Sequence, residues 1–373
     1  MLEAKSLRKA TIPSTLLPYP SPASIQPTRL AIHVNHEDDI DFSSCSAYFA
    51  SGRHMYRLEI PVGDSLLNQG KEGLLIPDIV EVVGPSMIDQ CRHQYEIQSV
   101  ALAKTGSAET CILGSVDSHG HLIVSLVNTD ARDTQKPTFV ASPQDRGVGE
   151  GSWAGLSFSP TQLSTVAVAR SFPKCIDLYD QENHIRNLRT LWYPSSLTFV
   201  QSPFYQTENS VLAVTEGCQL TLWDLRMKEN GGCIHRICGS PGDILYDSST
   251  STTGNIAVAG ADRTVTVFDP RRWSVLSRWT HCSKYEITGL AFSALDPDYI
   301  YVQGMDYEVF CGDWCKGSKI ISFRGDSSWL GFDKCPERDV VGGWCDSGSI
   351  FVAHIDAKRD SEDMIEALPN GNV

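Results

Sequence analysis

A chain of 373 residues with a net charge of −14 and a pI near 5.1 has no cluster of Lys and Arg of the kind that holds phosphates, so direct nucleic-acid binding is not expected. A hydrophobic share of 41% is enough for a sizeable core, yet no apolar run approaches the ~18 residues of a membrane helix, so no membrane partner is expected. Of the twelve cysteines, Cys45, Cys111, Cys175, Cys218, Cys311 and Cys345 lie in or beside alternating apolar runs, where a thiol packs as a small hydrophobe. Reduced, buried thiols point to an intracellular protein, nuclear or cytoplasmic.

Residues 1–27 combine Lys5, Arg8 and Lys9 with a single acidic residue, Glu3. This composition is weakly like a transit peptide, but five prolines from Pro13 to Pro27 oppose the amphipathic helix of a mitochondrial presequence. A flexible leader is expected. Beyond it, period-2 alternation bounded by turn residues predicts short strands. They fall at residues 47–50 and 55–60; 98–102, 111–115 and 122–126; 155–160, 165–169 and 175–180; 196–200, 210–215, 219–223 and 233–238; 243–247, 255–260, 264–268 and 274–279; 287–292 and 299–302; and 329–332, 340–343 and 350–354. Residues 357–373 are a polar, charged tail with no strand pattern. The last group therefore lacks an outer strand, and an open sheet edge invites aggregation. Residues 28–34 are predicted to close it by pairing beside residues 350–354. Segments 61–96 and 130–152 exceed ordinary connections and are expected to be insertions.

The strand groups repeat with a period. Asp180, Asp224, Asp269, Asp313 and Asp356 end successive runs at spacings of 44, 45, 44 and 43 residues. One four-stranded propeller blade takes about 40–45 residues. Trp223-Asp224 and Phe268-Asp269 each close a β-branched run with an arginine two residues on, Arg226 and Arg271, and Asp262 and Asp306 each stand seven residues before a strand-closing aspartate. On these residues the chain resembles the WD-repeat family of β-propellers from about residue 28 to residue 356. The resemblance implies an all-β fold, a single seven-bladed propeller over residues 28–356 closed by an N-terminal strand, with Asp262 and Asp306 holding tight turns and Trp223 and Phe268 filling wedges between blades. Two departures are visible: Gly217 stands where an equivalent of Asp262 belongs, and the histidine of the family's hydrogen-bond network has no evident position. They imply blades held by packing more than by that network.

Arg226 and Arg271 carry the sharpest functional expectation. Their tandem Trp/Phe-Asp-x-Arg motifs resemble those of substrate receptors that dock on the damaged-DNA-binding adaptor of cullin-RING ubiquitin ligases. A planar guanidinium suits bidentate contacts across such an interface. The competing reading is an arginine paired with its own aspartate. Trp153, Tyr193, Tyr285 and Trp329 each lie just before or at the start of an innermost strand, which predicts an aromatic rim on one face for a peptide partner. Burial between blades is the alternative.

Other groupings are weaker. Asp117, His119 and His121 occupy one hairpin, Cys311 and Cys315 lack a second ligand pair, and Glu37, Asp38, Asp39 and Asp41 read as a solvated loop, so no metal is expected. The glycines of residues 149–155 follow no strand-then-helix pattern. No nucleophile, base and orienting group stand at a believable spacing, and neither catalysis nor a cofactor is expected. The expected function is a non-catalytic scaffold for proteins or peptides, either a ligase substrate receptor or a structural subunit of a nuclear or cytoplasmic complex. A propeller enzyme would instead show a polar or carboxylate-lined central channel.

Overall fold

A computed structural model describes residues 1–17, 21–22, 24–35, 44–105, 110–128, 138–144, 152–200 and 211–358. Seven sheets stand in a ring, forming a seven-bladed β-propeller. From the centre outwards, strands a to d of blade 1 are Leu30–Asn35, Ser44–Ser51, His54–Pro61 and Ser86–Met87, and those of blade 2 are Ile97–Lys104, Thr110–Asp117, Leu122–Asn128 and Phe139–Ala141. Blade 3 comprises Ala154–Phe158, Thr165–Arg170, Cys175–Asp180 and Asn183–Arg189, and blade 4 comprises Pro194–Phe199, Val211–Glu216, Gln219–Asp224 and Cys233–Cys238. Leu245–Thr250, Ile256–Gly260, Val265–Asp269 and Ser274–Trp279 make blade 5, followed by Ile287–Phe292, Tyr299–Gly304, Glu308–Asp313 and Ser318–Arg324 in blade 6. Blade 7 takes strands a to c from Trp329–Lys334, Val340–Cys345 and Ser349–Ala357. The tail from residue 359 and the acidic run at residues 37–41 lie outside the described residues, as do most of segment 130–152 and the first glycines of 149–155.

The ring closes differently from the prediction. Residues 28–34 do not pair with residues 350–354; Leu30–Asn35 is strand a of blade 1, running from Leu30 opposite Phe49 to Asn35 opposite Ser44. Closure is made by Leu2–Thr11, antiparallel to strand 7c from Leu2 opposite Ala357 to Thr11 opposite Ser349. Much of the segment expected to be a flexible leader is thus the outer strand of the last blade. A register shift lies between Ala4 and Ser6, and the adjacent Ser6 and Leu7 are both buried, which breaks the period-2 signal. Its cations are held on the blade surface: Lys5 pairs with Glu3, Arg8 with Asp78 and Lys9 with Asp326.

Most of segment 61–96, residues 62–85, is an insertion between strands c and d of blade 1, and it wraps backwards over two neighbours. Asn68–Gln69 and Leu75–Ile76 form a small hairpin whose Leu75 pairs in parallel with Phe323 on strand 6d. Asp78–Ile79 then pairs with Arg8 and Lys9 on strand 7d before Ser86–Met87 rejoins blade 1 at Arg57 and Tyr56. The strap is fastened to the closing strand by the Ser65 N–H on Lys5 O (3.1 Å), the Val80 N–H on Lys9 O (2.9 Å) and Arg8 Nη2 on Gly63 O (3.2 Å). It covers sheet edges that would otherwise be open.

The core is divided among the blade interfaces. Seven apolar clusters of buried side chains each join two adjacent blades, because the inner strands are buried on both faces. Trp223 and Phe268 fill such wedges, between blades 3 and 4 and between blades 4 and 5. Among the described residues no helix is long and apolar enough to cross a membrane.

Leu7 is fully buried in the cluster between blades 6 and 7. Leu7→Ala is therefore expected to cost ~2–5 kcal/mol in a denaturant or thermal melt, and deletion of residues 1–12 should abolish a cooperative transition. A truncated chain that melts like the full one would mean that another strand closes the ring.

Candidate functional site

Within each blade, strands a and c run the same way because both are antiparallel to b. The start of an a strand and the end of a c strand therefore emerge on opposite faces of the disc. Arg226 and Arg271 leave one face; Trp153, Tyr193, Tyr285 and Trp329 belong to the other.

At the arginine face the two motifs build the same turn. Asp224 Oδ1 accepts the backbone N–H of Arg226 (2.9 Å), and Asp269 Oδ1 accepts that of Arg271 (2.8 Å), which fixes both arginines at equivalent places on adjacent blades. The Arg226 fork folds back on its own aspartate, with Nε 3.0 Å from Oδ1 and Nη2 2.9 Å from Oδ2, while half of the side chain stays exposed. The motif thus pairs internally and still presents a guanidinium. Blade 6 repeats the turn with lysine: Asp313 Oδ1 accepts the Lys316 N–H at 2.8 Å and Oδ2 accepts its Nζ at 2.7 Å. Asp356 is followed two residues later by Lys358 in blade 7. Cations thus follow strand c in four consecutive blades. The last two carry lysine in place of arginine, so the Trp/Phe-Asp-x-Arg pattern does not reveal them.

The predicted aromatic rim is half right in its exposure. Tyr193 and Tyr285 are exposed at 55% and 50%, each beneath a lysine ammonium, Lys174 at 4.6 Å and Lys284 at 5.6 Å from the ring centre. Trp153 and Trp329 are buried and do not belong to an open rim. Trp329 packs edge-on against Phe351 at 5.7 Å in the cluster between blades 6 and 7. Trp153 sits in the cluster between blades 3 and 4 and donates from Nε1 to Thr28 Oγ1 at 3.0 Å. Phe172, Leu191 and Trp192, which the sequence reading did not single out, join Tyr193 as exposed apolar groups of the same face.

A buried hydrogen-bond network that the sequence did not reveal is present in blade 2. His93, in the connection leading to strand 2a, places Nε2 2.8 Å from Ser115 Oγ and Nδ1 3.4 Å from Asp117. Asp117 also accepts the His119 and His121 N–H groups, both at 3.0 Å, and faces the His121 ring at 3.1 Å. Burial opposes ionisation of Asp117, but bonds from His121 and His93 outweigh it and hold the carboxyl well below the usual carboxylate range. Ser115, His93 and Asp117 stand in the order of nucleophile, base and orienting acid. Ser115 and Asp117 are completely enclosed, so the arrangement tethers a blade and offers no approach to a substrate.

The hub is a cavity of about 380 Å³ lined by strand-a residues of all seven blades, many of them Ser and Thr. Asp247 and Asp333 make it polar, as an enzyme's channel would be, but both carboxylates are engaged in joining blades. Asp247 accepts the Leu290 N–H of blade 6 (2.7 Å) and the Ser196 hydroxyl of blade 4 (2.8 Å); Asp333 accepts the Ile32 N–H of blade 1 (2.8 Å). Each keeps some solvent-accessible surface within the channel. Desolvation nevertheless pushes Asp247 up to about 6 and Asp333 up to about 7, against the pull of these N–H donors.

Comparison of the sequence with protein-family models and with curated proteins finds no match.

Two outcomes follow from this geometry. Trp329→Ala should cost ~3–5 kcal/mol in stability, whereas Tyr285→Ala should leave the melt within ~0.5 kcal/mol; a harmless Trp329→Ala would contradict its buried placement. The raised carboxyls predict a pH effect. A group protonated when folded and ionised when unfolded adds stability at low pH and loses it as pH rises through its folded pKa. Asp333→Asn removes that loss, so its melting temperature relative to wild type should climb between pH 5 and pH 8, the interval spanning the value of about 7. A difference that is flat with pH would mean that Asp333 ionises normally in the folded protein.

Proposed function

We propose that this protein is a non-catalytic interaction scaffold of the WD-repeat type, and that the face bearing Arg226 and Arg271 docks a partner protein. One observation carries the reading: adjacent blades build the same aspartate-held turn and set an arginine at the same backbone position on each. A blade needs the aspartate to close its turn, but nothing in strand pairing requires an arginine two residues later. The Arg226–Asp224 pair is half exposed, so it adds little to stability. Its fork can exchange partners when a carboxylate or carbonyl of another protein displaces water from that face. In its sharper form the partner is the damaged-DNA-binding adaptor of a cullin-RING ubiquitin ligase, and the protein presents substrates to that ligase within the nucleus or cytoplasm.

The test is co-precipitation of the adaptor with wild type and with the Arg226→Ala, Arg271→Ala double variant, alongside thermal melts. Loss of a charge-assisted contact costs ~1.5–3 kcal/mol, so recovery should drop at least about tenfold while the fold persists. Lysine at both positions should restore it only in part, since a point charge lacks the planar fork. Equal recovery from both proteins, or none from wild type, would leave the general scaffold without the ligase role.

A further inference from the structure

The face opposite the arginines carries a group of apolar side chains that the fold holds rigidly out into solvent. In the connection between blades 3 and 4, Leu191, Trp192 and Tyr193 are 58%, 51% and 55% exposed, and Phe172, in the neighbouring turn of blade 3, is 57% exposed. Exposed apolar side chains standing singly need no explanation; four on one face do.

Their backbone is pinned by a buried charge. Glu216, fully enclosed at the end of strand 4b, accepts the N–H groups of Leu191 (2.6 Å) and Trp192 (2.8 Å) through one carboxylate oxygen and Arg236 (3.1 Å) through the other. Thr190 Oγ1 donates to Trp192 O at 2.8 Å and closes the turn. Beneath it, Gly217 has φ +57° and no side chain, and a Cβ there would stand 3.1 Å from the Trp192 ring. Glycine is thus suited to this position on two counts, and its presence in place of the aspartate of other blades is accounted for. A loop without a task does not need a buried carboxylate and ion pair to hold three apolar side chains outward. Rigid aromatic anchors are what lowers the entropic cost of docking.

The charge at the patch selects among partners. Lys174 Nζ lies 4.6 Å from the centre of the Tyr193 ring and 5.9 Å from that of Trp192, and it forms no salt bridge among the described residues. The ring faces already hold one ammonium, so a second cation is repelled. A carboxylate can meet Lys174 while the apolar side chain beside it packs on Trp192 and Tyr193. We infer that Phe172, Lys174, Leu191, Trp192 and Tyr193 form a docking site for an acidic peptide segment bearing bulky apolar side chains. The inference rests on the scaffold reading, deepens it by naming a partner chemistry, and uses a face separate from Arg226 and Arg271.

The probe is a fluorescein-labelled synthetic peptide alternating glutamate with phenylalanine and leucine, compared with the same peptide carrying lysine for glutamate. Fluorescence anisotropy with the full chain should show saturable binding of the acidic peptide that weakens with added salt, and none of the lysine peptide. Trp192→Ala and Lys174→Glu should each weaken it on the order of tenfold with little change in melting temperature, since Trp192 is half exposed and Lys174 partly so. The Arg226→Ala, Arg271→Ala variant should bind the peptide as wild type does, which keeps a failure of adaptor docking distinct from a failure here. Failure to bind the acidic peptide would overturn the proposal. Equal binding of the lysine peptide, or indifference to Trp192→Ala, would do the same, as would capture by phosphatidylserine vesicles in place of the peptide.

Discussion

Everything in this molecule depends on how the last blade acquires its outer strand. A ring of sheets is stable only if no blade is left with an open edge. Here the need is met by joining residues 2–11 to residues 349–357, which brings the Lys358 N–H to 2.8 Å from Met1 O. Sequence-distant ends thereby become spatial neighbours, and stability in one blade is tied to every other through the seven shared wedges. The strap from blade 1 reinforces the same place. It lies against the closing strand and continues to blade 6, so the junction is held by backbone pairing on both sides of Leu2–Thr11.

The polar hub follows from the same closure. Where the seven innermost strands line the cavity, short hydroxyls and carboxylates make many of the blade-to-blade contacts. Thr28 donates to Gln98 O at 2.7 Å, Ser195 to Leu245 O at 2.7 Å, and Ser249 Oγ accepts the Phe292 N–H at 3.2 Å. Asp247 and Asp333 act in this set as acceptors for neighbouring backbones, and their raised pKa values are the cost of placing carboxyls where water is scarce. Polarity at the hub is therefore spent on joining blades.

Chemistry available to partners is left to the two faces, and they differ. On one, two of the cations after strand c are backed by their own aspartates, Arg226 by Asp224 and Lys316 by Asp313, so a chain of net charge −14 presents donors without building a strongly positive surface. On the other, apolar side chains stand over a buried carboxylate that shapes their loop. The first favours exchange of hydrogen-bond partners; the second offers rigid apolar area.

The sequence by itself determined the number of blades, because a strand-closing aspartate every 43 to 45 residues and two-faced apolar runs leave few other architectures. It also determined the wedge role of Trp223 and Phe268, since a large aromatic ending an inner strand has only the neighbouring blade to meet. The closing strand was not legible, because it carries Lys5, Arg8 and Lys9 among its apolar residues and loses its alternation at the Ala4–Ser6 shift. His93 was equally hidden: it stands 22 residues before Ser115, and only the folding of blade 2 brings the two together. The rim aromatics show the limit most directly. Trp329 and Tyr285 hold similar places at the start of a strand, yet Trp329 is enclosed because Gly325 and Gly343 leave space that a Cβ on either would fill. Whether the ring points inward was decided in part by a glycine on the neighbouring strand, Gly343, and local sequence does not encode what a neighbouring strand makes room for.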